Sequence, residues 1–167
     1  MFLNKEKTGL WVVDTQENLF PFMDREQELL EKICFTLEFA KILKIPTFIT
    51  EQYPKGLGQT VAAIKERIPK EVSVYTKTAF SGYKEPHIKQ AADAIGVDTW
   101  ILVGIEAHIC VLQTAKDLLM AQKKVVVLND AISARSFFDY STAILELREC
   151  GARVGCAETI LYELIRD

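Results

Sequence analysis

The chain has 167 residues, of which 49% are apolar and 26% are charged, and its formal net charge is −3. This length and balance are typical of one globular domain with a sizeable core, so we predict a single domain over residues 1–167. Lysines and arginines are scattered among acidic residues rather than gathered in a basic stripe, which argues against a nucleic-acid partner. The N-terminus has no long apolar run, so we expect a cytoplasmic protein that does not bind a membrane.

The four cysteines are too few and too unevenly spaced for a disulfide scaffold or a zinc ribbon, and we expect them to be reduced. Three of them, Cys34, Cys150 and Cys156, are predicted to be buried packing residues. The chain has two histidines, His87 and His108, which cannot assemble a histidine-rich catalytic metal site. We therefore predict no metal and no other cofactor.

Apolar strands alternate with amphipathic helices along the whole chain. The predicted strands are residues 8–14, 46–50, 72–76, 99–103, 124–128 and 152–156, and the predicted helices are residues 24–43, 61–67, 86–95, 110–122, 139–150 and 157–165. Asp24 and Asp139 are predicted to cap the helices that begin at them. The alternation is typical of βαβ units, so we predict an α/β fold of three layers, with a six-stranded, mostly parallel sheet and helices on both faces, as in Rossmann-like proteins.

Two charged residues follow strands of the predicted sheet. Asp14 ends the first strand, and Lys77 follows the third. Ligands of open α/β sheets bind beyond the carboxyl ends of the strands, so both side chains are predicted to lie at that edge. Each also has a structural interpretation, Asp14 as the cap of a turn and Lys77 as a solvated surface charge.

The fourth strand ends at Gly104 in a tight turn, which leads into a helix at Cys110. The unpaired N–H groups and partial positive charge of a helix N-terminus favour an anion, so we predict that the pKa of this thiol is lower than that of a free cysteine. Taken alone, a cysteine among apolar residues is typical of core packing. A cysteine can hydrolyse an acyl–nitrogen bond when other groups assist it. Here Asp14 would be the base and Lys77 the cation, and backbone N–H groups would stabilise the oxyanion.

Three segments resemble the signature regions of the isochorismatase-like cysteine hydrolases. They are VVDTQ with Asp14, YTKTAFSG with Lys77 and VGIEAHICVLQTA with Cys110, and their order and spacing match over nearly the whole chain. The loop TEQYPKGLG resembles that of the compact isochorismatase-domain proteins, whose substrates are mostly undefined. The resemblance implies the isochorismatase-like hydrolase fold, with Asp14 as general base, Lys77 as the residue that steadies the charges, and Cys110 as the nucleophile of a thioester acyl-enzyme.

The resemblance also implies roles for the turn before Cys110. The family commonly has a non-proline cis peptide there, which maps to Ile105–Glu106, and such a bond costs about 3–4 kcal/mol unless the fold imposes it. Its expected effect is to aim backbone N–H groups at the oxyanion. The turn residues concerned are Ile105, Glu106, Ala107, His108 and Ile109. Two of these residues, Glu106 and His108, are polar. Either could contact the leaving group, or it could form a local hydrogen bond to the loop backbone.

Aromatic residues on loops of the same edge would line a pocket for a small-molecule substrate. They are Phe20, Tyr53 and Phe80. Core packing explains a lone phenylalanine equally well. Downstream, the segment VVVLNDAISAR also resembles the family, and its Asp130 and Arg135 are expected to have structural roles.

Two departures from the family narrow the predicted reaction. Nicotinamidases of this superfamily bind a metal through an Asp-x-His motif after the second strand, where this chain has Glu51-Gln52-Tyr53. True isochorismatases cleave a vinyl ether and can do without a cysteine nucleophile. We therefore predict a metal-independent hydrolase that cleaves the amide or ureido C–N bond of a small molecule.

Two alternatives stay open beside this reaction. One is a catalytically silent binding or scaffold protein, because a complete triad shows only that chemistry is available. The other is a vinyl-ether hydrolase. The resemblance also implies a homo-oligomer, with the apolar C-terminal helix either at an interface or simply covering the sheet.

Overall fold

Strands and helices alternate along residues 2–166, which is the part of the chain that the computed structural model describes. Its strands are β1 (Thr8–Val13), β2 (Thr47–Gln52), β3 (Val74–Lys77), β4 (Thr99–Ile105), β5 (Lys124–Ser133) and β6 (Arg153–Gly155). Its helices are α1 (Glu26–Leu43), α2 (Pro54–Leu57), α3 (Ala62–Lys65), α4 (Pro86–Ala94), α5 (Leu112–Met120), α6 (Phe137–Glu149) and α7 (Ala157–Ile165). No helix in this part of the chain is long and apolar enough to cross a bilayer.

The six described strands form one sheet in the order β3-β2-β1-β4-β5-β6. All the ladders between them are parallel. The winding of the chain reverses between β1 and β4, and the crevice above such a reversal is where open α/β sheets bind ligands. The predicted α/β fold with a six-stranded sheet is confirmed, and the sheet is parallel throughout rather than mostly parallel.

Two apolar cores cover the two faces of the sheet. Side chains alternate along a strand, so Leu10 and Val12 of β1 join one core while Trp11 and Val13 join the other. The first core is closed by α1, α3 and α7, and the second by α4, α5 and α6. Burying each large apolar side chain stabilises the fold by about 1.5–3 kcal/mol relative to exposure, so both faces need their helices.

The strands β1 and β4 approach each other closely at Gly104, whose φ is +137°. A Cβ atom at this position would lie 2.1 Å from the backbone oxygen of Val13, so a glycine is required. The close approach brings the end of β1 beside the turn that follows β4. It therefore sets Asp14 next to the segment that contains Cys110.

The predicted starts of two helices are wrong by a few residues. The first helix does not begin at Asp24, because Arg25 adopts a left-handed conformation and precedes its first turn. The helix predicted to begin at Asp139 begins earlier, because the hydroxyl of Ser136 accepts the N–H of Phe138 and caps it. The first N–H groups of a helix bond to whichever acceptor the backbone brings into reach, and a pattern of residue types leaves several candidates.

The cysteines differ in burial. Cys34 is buried as predicted, but Cys150 is half-buried and Cys156 is exposed, so the predicted burial of these two is wrong. Cys150 is the C-cap of α6, and Cys156 is the N-cap of α7. Helix ends of this kind lie at the surface of the fold, whereas Cys34 lies on the inner face of α1.

Candidate active site

Asp14 and Lys77 form a buried ion pair at the carboxyl edge of the sheet. Oδ2 of Asp14 lies 2.7 Å from Nζ of Lys77, and the two side chains are 4% and 0% exposed. Asp14 follows β1 with φ of +52°, and Lys77 is the last residue of β3. Taking two charges out of water is costly unless each is paired and hydrogen-bonded, so each of these groups depends on the other.

The ammonium group of Lys77 is held by three further oxygens. It donates to Oε1 of Gln52 at 2.6 Å and to the backbone carbonyls of Ala79 and Phe80 at 3.1 and 2.8 Å. Its three N–H groups thus donate to these three oxygens, and the Asp14 carboxylate lies beside the ammonium group as an ion pair. The side chain therefore reaches across β2 to the end of β1.

Gln52 and Gln16 support the ion pair, and the sequence pattern did not single them out. Oε1 of Gln16 accepts the backbone N–H of Gln52 at 2.6 Å, and Nε2 of Gln16 donates to the backbone carbonyl of Gln52 at 2.8 Å. The pairing fixes the end of β2, from which the Gln52 amide reaches Lys77. A signal was available, because Gln52 stands at a strand end just as Asp14 and Lys77 do.

The thiol of Cys110 lies beside this ion pair. It is 5% exposed and sits in a π-helical turn, Ala107–Val111, so helical structure begins before Cys110 rather than at it. Burial raises the pKa of the Cys110 thiol far above its usual value, and the negative charge of the neighbouring Asp14 carboxylate raises it further. Lys77 lowers this pKa, but by less than burial raises it. Three strand ends therefore bring the acid, the ammonium group and the thiol together.

The predicted low pKa of Cys110 is wrong. Burial removes the water that would solvate a thiolate, and the nearby Asp14 and Glu106 carboxylates repel a second negative charge. These effects outweigh the partial positive charge of the turn. The resting thiol therefore keeps its proton, and the carboxylate of Asp14 is the acceptor placed to take it.

The turn before Cys110 has a trans backbone, and the predicted cis bond at Ile105–Glu106 is wrong. Glu106 reverses the chain instead through a left-handed conformation with φ of +57°. Ile105 is fully buried in the core. The N–H of Ile109 donates to the carbonyl of Glu106 at 2.9 Å, so this donor is already engaged. The N–H groups of Ala107 and His108 do not take part in this hydrogen bond to Glu106.

The carboxylate of Glu106 is 6% exposed and is held by Arg135, whose Nε donates to Oε1 at 2.7 Å. Nδ1 of His108 lies 3.5 Å from Oε2 of Glu106, and its Nε2 lies 3.8 Å from Asp139. Glu106 therefore bonds to a distant side chain rather than to the loop backbone. Farther along the chain, Oδ1 of Asp130 accepts the N–H of Ala157, the first residue of α7.

The three predicted pocket residues do not share one surface. Phe20 is 1% exposed and packs in the core on the α1 face. Tyr53 and Phe80 are more than half exposed. Tyr53 and Lys77 both line a cavity of about 400 Å³. Phe80 contacts the site through its backbone carbonyl, which accepts a hydrogen bond from Lys77.

Among residues 2–166, no group of three or more histidine, cysteine, aspartate or glutamate side chains is placed to hold a metal ion. Glu51 stands where the Asp-x-His metal motif of the nicotinamidases would begin. Its Oε1 accepts the backbone N–H and the hydroxyl of Thr60 at 2.7 and 2.8 Å. This carboxylate therefore fixes a loop.

Known proteins resemble this chain in sequence and in fold. A family model described as the isochorismatase domain matches residues 8–159. Isochorismatase domain-containing protein 2A of Mus musculus is 34% identical over 163 residues, which are 97% of this chain and 77% of that protein. The MAR1 ribonuclease structure from Caenorhabditis elegans has a TM-score of 0.94 and 36% identity, covering 100% of this chain and 85% of that one.

A more distant solved structure shares the fold. The YcaC gene product of Escherichia coli, described as an octameric hydrolase of unknown specificity, has a TM-score of 0.94 at 20% identity. The match covers 100% of this chain and 83% of that one. Because the domain model spans most of the chain and the mouse relative is aligned over nearly all of it, the chain belongs to the isochorismatase family and has its hydrolase fold.

Proposed function

We propose that this protein is a metal-independent cysteine hydrolase that cleaves the amide or ureido C–N bond of a small molecule through a thioester acyl-enzyme. One observation carries the proposal. A buried thiol lies beside a carboxylate, and the same carboxylate is paired with a lysine at 2.7 Å. Nucleophile, base and cation are the set that acyl transfer by a cysteine requires.

Acylation begins with the neutral thiol. The sulfur of Cys110 attacks the substrate carbonyl carbon while Asp14 takes the thiol proton, so a thiolate never has to exist alone in the buried site. Backbone N–H groups of the turn before Cys110 stabilise the oxyanion that forms. Asp14 then gives its proton to the nitrogen, the C–N bond breaks, and the amine leaves. Lys77 keeps the Asp14 carboxylate in place throughout.

Deacylation uses the same base. A water molecule attacks the thioester carbonyl and gives a proton to Asp14, and the C–S bond breaks as the oxyanion collapses. The proton on Asp14 returns to the sulfur, which restores the resting thiol. The product is a carboxylic acid, or a carbamic acid when the substrate is a ureide.

The test is an intact-mass search for the acyl-enzyme with a panel of small amides and ureides. We expect an adduct on the wild type that peptide mapping assigns to Cys110, together with release of ammonia or amine. Cys110→Ala should form neither adduct nor product. Cys156→Ser is the matched control, since it removes an exposed thiol at the start of α7 and should leave turnover unchanged.

The opposite results would end the proposal. Turnover that persists in Cys110→Ala excludes the sulfur as nucleophile. A wild type that forms no adduct and no product across primary amides, secondary amides and ureides contradicts the assigned bond. Activity that is lost with a chelator and restored by a divalent metal contradicts the metal-independent mechanism.

RNA cleavage is a second candidate, because the Caenorhabditis elegans structure described as a ribonuclease is 36% identical. The net charge of −3 and the scattered basic residues weigh against it, since a phosphate backbone is bound by clustered cations. A fluorogenic RNA separates the two functions. RNA cleavage that Cys110→Ala abolishes would favour the second candidate, and we expect the wild type to leave the RNA intact.

We also propose that the protein is a cytoplasmic homo-oligomer. A reducing compartment keeps Cys110 as a thiol. The Escherichia coli neighbour is described as an octamer. In this chain α7 buries Ile160 and Leu164 against the sheet, while Tyr162 is 58% exposed beside Phe39 of α1. Light scattering after size exclusion tests this, and a monomer at micromolar concentration would contradict it.

A further inference from the structure

One oxygen of the buried Glu106 carboxylate has a partner and the other does not. Oε1 accepts the Arg135 Nε–H at 2.7 Å. Oε2 has no hydrogen-bond partner among residues 2–166, although Nδ1 of His108 lies 3.5 Å away and is itself unpartnered. A buried carboxylate oxygen that accepts no hydrogen bond is costly, because it has lost the hydrogen bonds that water gave it.

This oxygen belongs to the turn that carries the nucleophile. Glu106 is the N-cap of the π-helical turn that contains Cys110, and its charge acts on the Cys110 sulfur. Other buried oxygens of the described residues that lack a hydrogen-bond partner include both carboxylate oxygens of Asp14, whose contact with Lys77 is an ion pair, and the hydroxyls of Thr15, next to Asp14, and of Ser81, in the loop after Lys77. The surroundings of the sulfur are therefore rich in polar groups that a ligand can satisfy.

We propose that Oε2 of Glu106 accepts a hydrogen bond from an N–H group of the substrate bound at Cys110. The site then selects carboxamides and ureides that have at least one N–H on the nitrogen next to the carbonyl carbon, and it disfavours esters and tertiary amides. This inference rests on the proposed function, since it names the substrate class of the same nucleophile. Glu106 is thus a specificity-determining residue.

The size of the selection follows from the chemistry of the acceptor. A hydrogen bond to a charged group is stronger than one between neutral groups, and a substrate without the donor leaves the carboxylate oxygen buried and unpaired. We expect a loss of about 10- to 100-fold in rate when the last N–H is removed. The loss should depend on the donor and not on the size of the substrate.

The probes are 2-chloroacetamide and its N-methyl and N,N-dimethyl derivatives. In each case the sulfur bonds to the α-carbon, the C–Cl bond breaks, chloride leaves and the thiol proton passes to a base, so the amide group is held next to the sulfur. Alkylation of Cys110 is followed by peptide mass spectrometry, and each rate is divided by the rate with glutathione. The exposed Cys156 of the same chain is the internal control.

In the wild type, the first methyl group keeps one N–H and should change the normalised rate at Cys110 by less than about threefold. The second methyl group removes the last N–H and should lower it by about tenfold or more. Cys156 should show no such fall in rate at the second methyl group, which is called the step below. A drop at the first methyl group instead indicates crowding and overturns the inference, as does an equal rate for all three probes.

Glu106→Gln tests the residue itself. Arg135 needs an acceptor, so it keeps the glutamine oxygen and leaves the NH₂ group at the position of Oε2. A donor then faces the substrate, and the step at the second methyl group should shrink to within about twofold. The ratio between probes is the readout, because loss of the Glu106 charge changes the reactivity of the thiol toward all three equally.

Glu51→Gln is the matched control, since Glu51 is another buried carboxylate at this edge whose bonds go to Thr60. It should keep the step of the wild type. A step that survives in Glu106→Gln overturns the inference, and if this variant does not fold, the wild-type series still decides it. If Cys110 reacts with all three probes at equal rates, the proposed selection for an N–H group is refuted but the proposed function is not. Cys110 that reacts with none of the probes refutes the nucleophile and therefore also the proposed function.

Discussion

Replacing Lys77 by methionine is expected to destabilise the fold strongly. The variant removes the partner of Asp14, whose side chain is 4% exposed, and leaves its charge buried. It also removes the hydrogen bond to Gln52 and those to two backbone carbonyls. Removing one partner of a buried ion pair costs about 3–5 kcal/mol, which is a large share of the 5–15 kcal/mol that typically separates folded from unfolded chains.

Urea unfolding followed by tryptophan fluorescence measures this loss. Asp14→Asn in the Lys77→Met background removes the stranded charge, so the double variant should be more stable than the sum of the two single effects predicts, by at least about 1 kcal/mol. Lys89→Met is the matched control. Nζ of Lys89 lies 2.7 Å from Asp93, the same distance as in the buried pair, but these side chains are 49% and 38% exposed.

Because water already solvates the exposed pair, Lys89→Met should move the unfolding midpoint far less than Lys77→Met does. Equal shifts for the two variants would refute the reasoning, since burial would then make no difference. Strict additivity of the Asp14 and Lys77 variants would also refute it, because the two charges would not be interacting.

Three further outcomes follow from the structure. Gly104→Ala should lower the free energy of unfolding by about 3 kcal/mol or more in urea titrations, because its Cβ would lie 2.1 Å from the Val13 carbonyl oxygen and its φ is +137°. Asp14→Asn should lower the pKa of the Cys110 thiol, measured from the pH dependence of alkylation, because the carboxylate raises it. Glu85→Gln should destabilise the protein at neutral pH, and this difference should shrink as pH falls below 4.5 and through the folded-state pKa of the carboxyl, which backbone hydrogen bonds from Ala79 and Thr78 hold below its usual value.

Each of these outcomes has a control. Gly96→Ala introduces an alanine at φ of +77° with no atom within 4 Å of the new Cβ, so it should cost only the backbone strain of about 1–2 kcal/mol. An equal cost at Gly104 would mean that the clash with β1 is relieved easily. A Cys110 pKa that rises in Asp14→Asn contradicts the electrostatic account. Destabilisation by Glu85→Gln that is as large at pH 3 as at pH 7 shows that it does not arise from the charge.

Part of this protein could be predicted from local sequence features. Alternating apolar strands and amphipathic helices identify the parallel sheet, because burial on both faces leaves its strands uniformly apolar. The ends of the strands then identify Asp14 and Lys77, since parallel strands present their carboxyl ends at one edge. Gly104 marks the tight end of β4. The segments around these residues and Cys110 were sufficient to identify the family.

The sequence by itself therefore determined the fold class and the chemical groups at the edge of the sheet. Only the tertiary structure decided how those groups behave. The raised pKa of Cys110, the support that Gln52 gives to Lys77 and the pairing of Glu106 with Arg135 all depend on residues distant in the chain. Local patterns report which residues lie inside, but solvation and charge act through space, and the neighbours that determine them are brought together by folding.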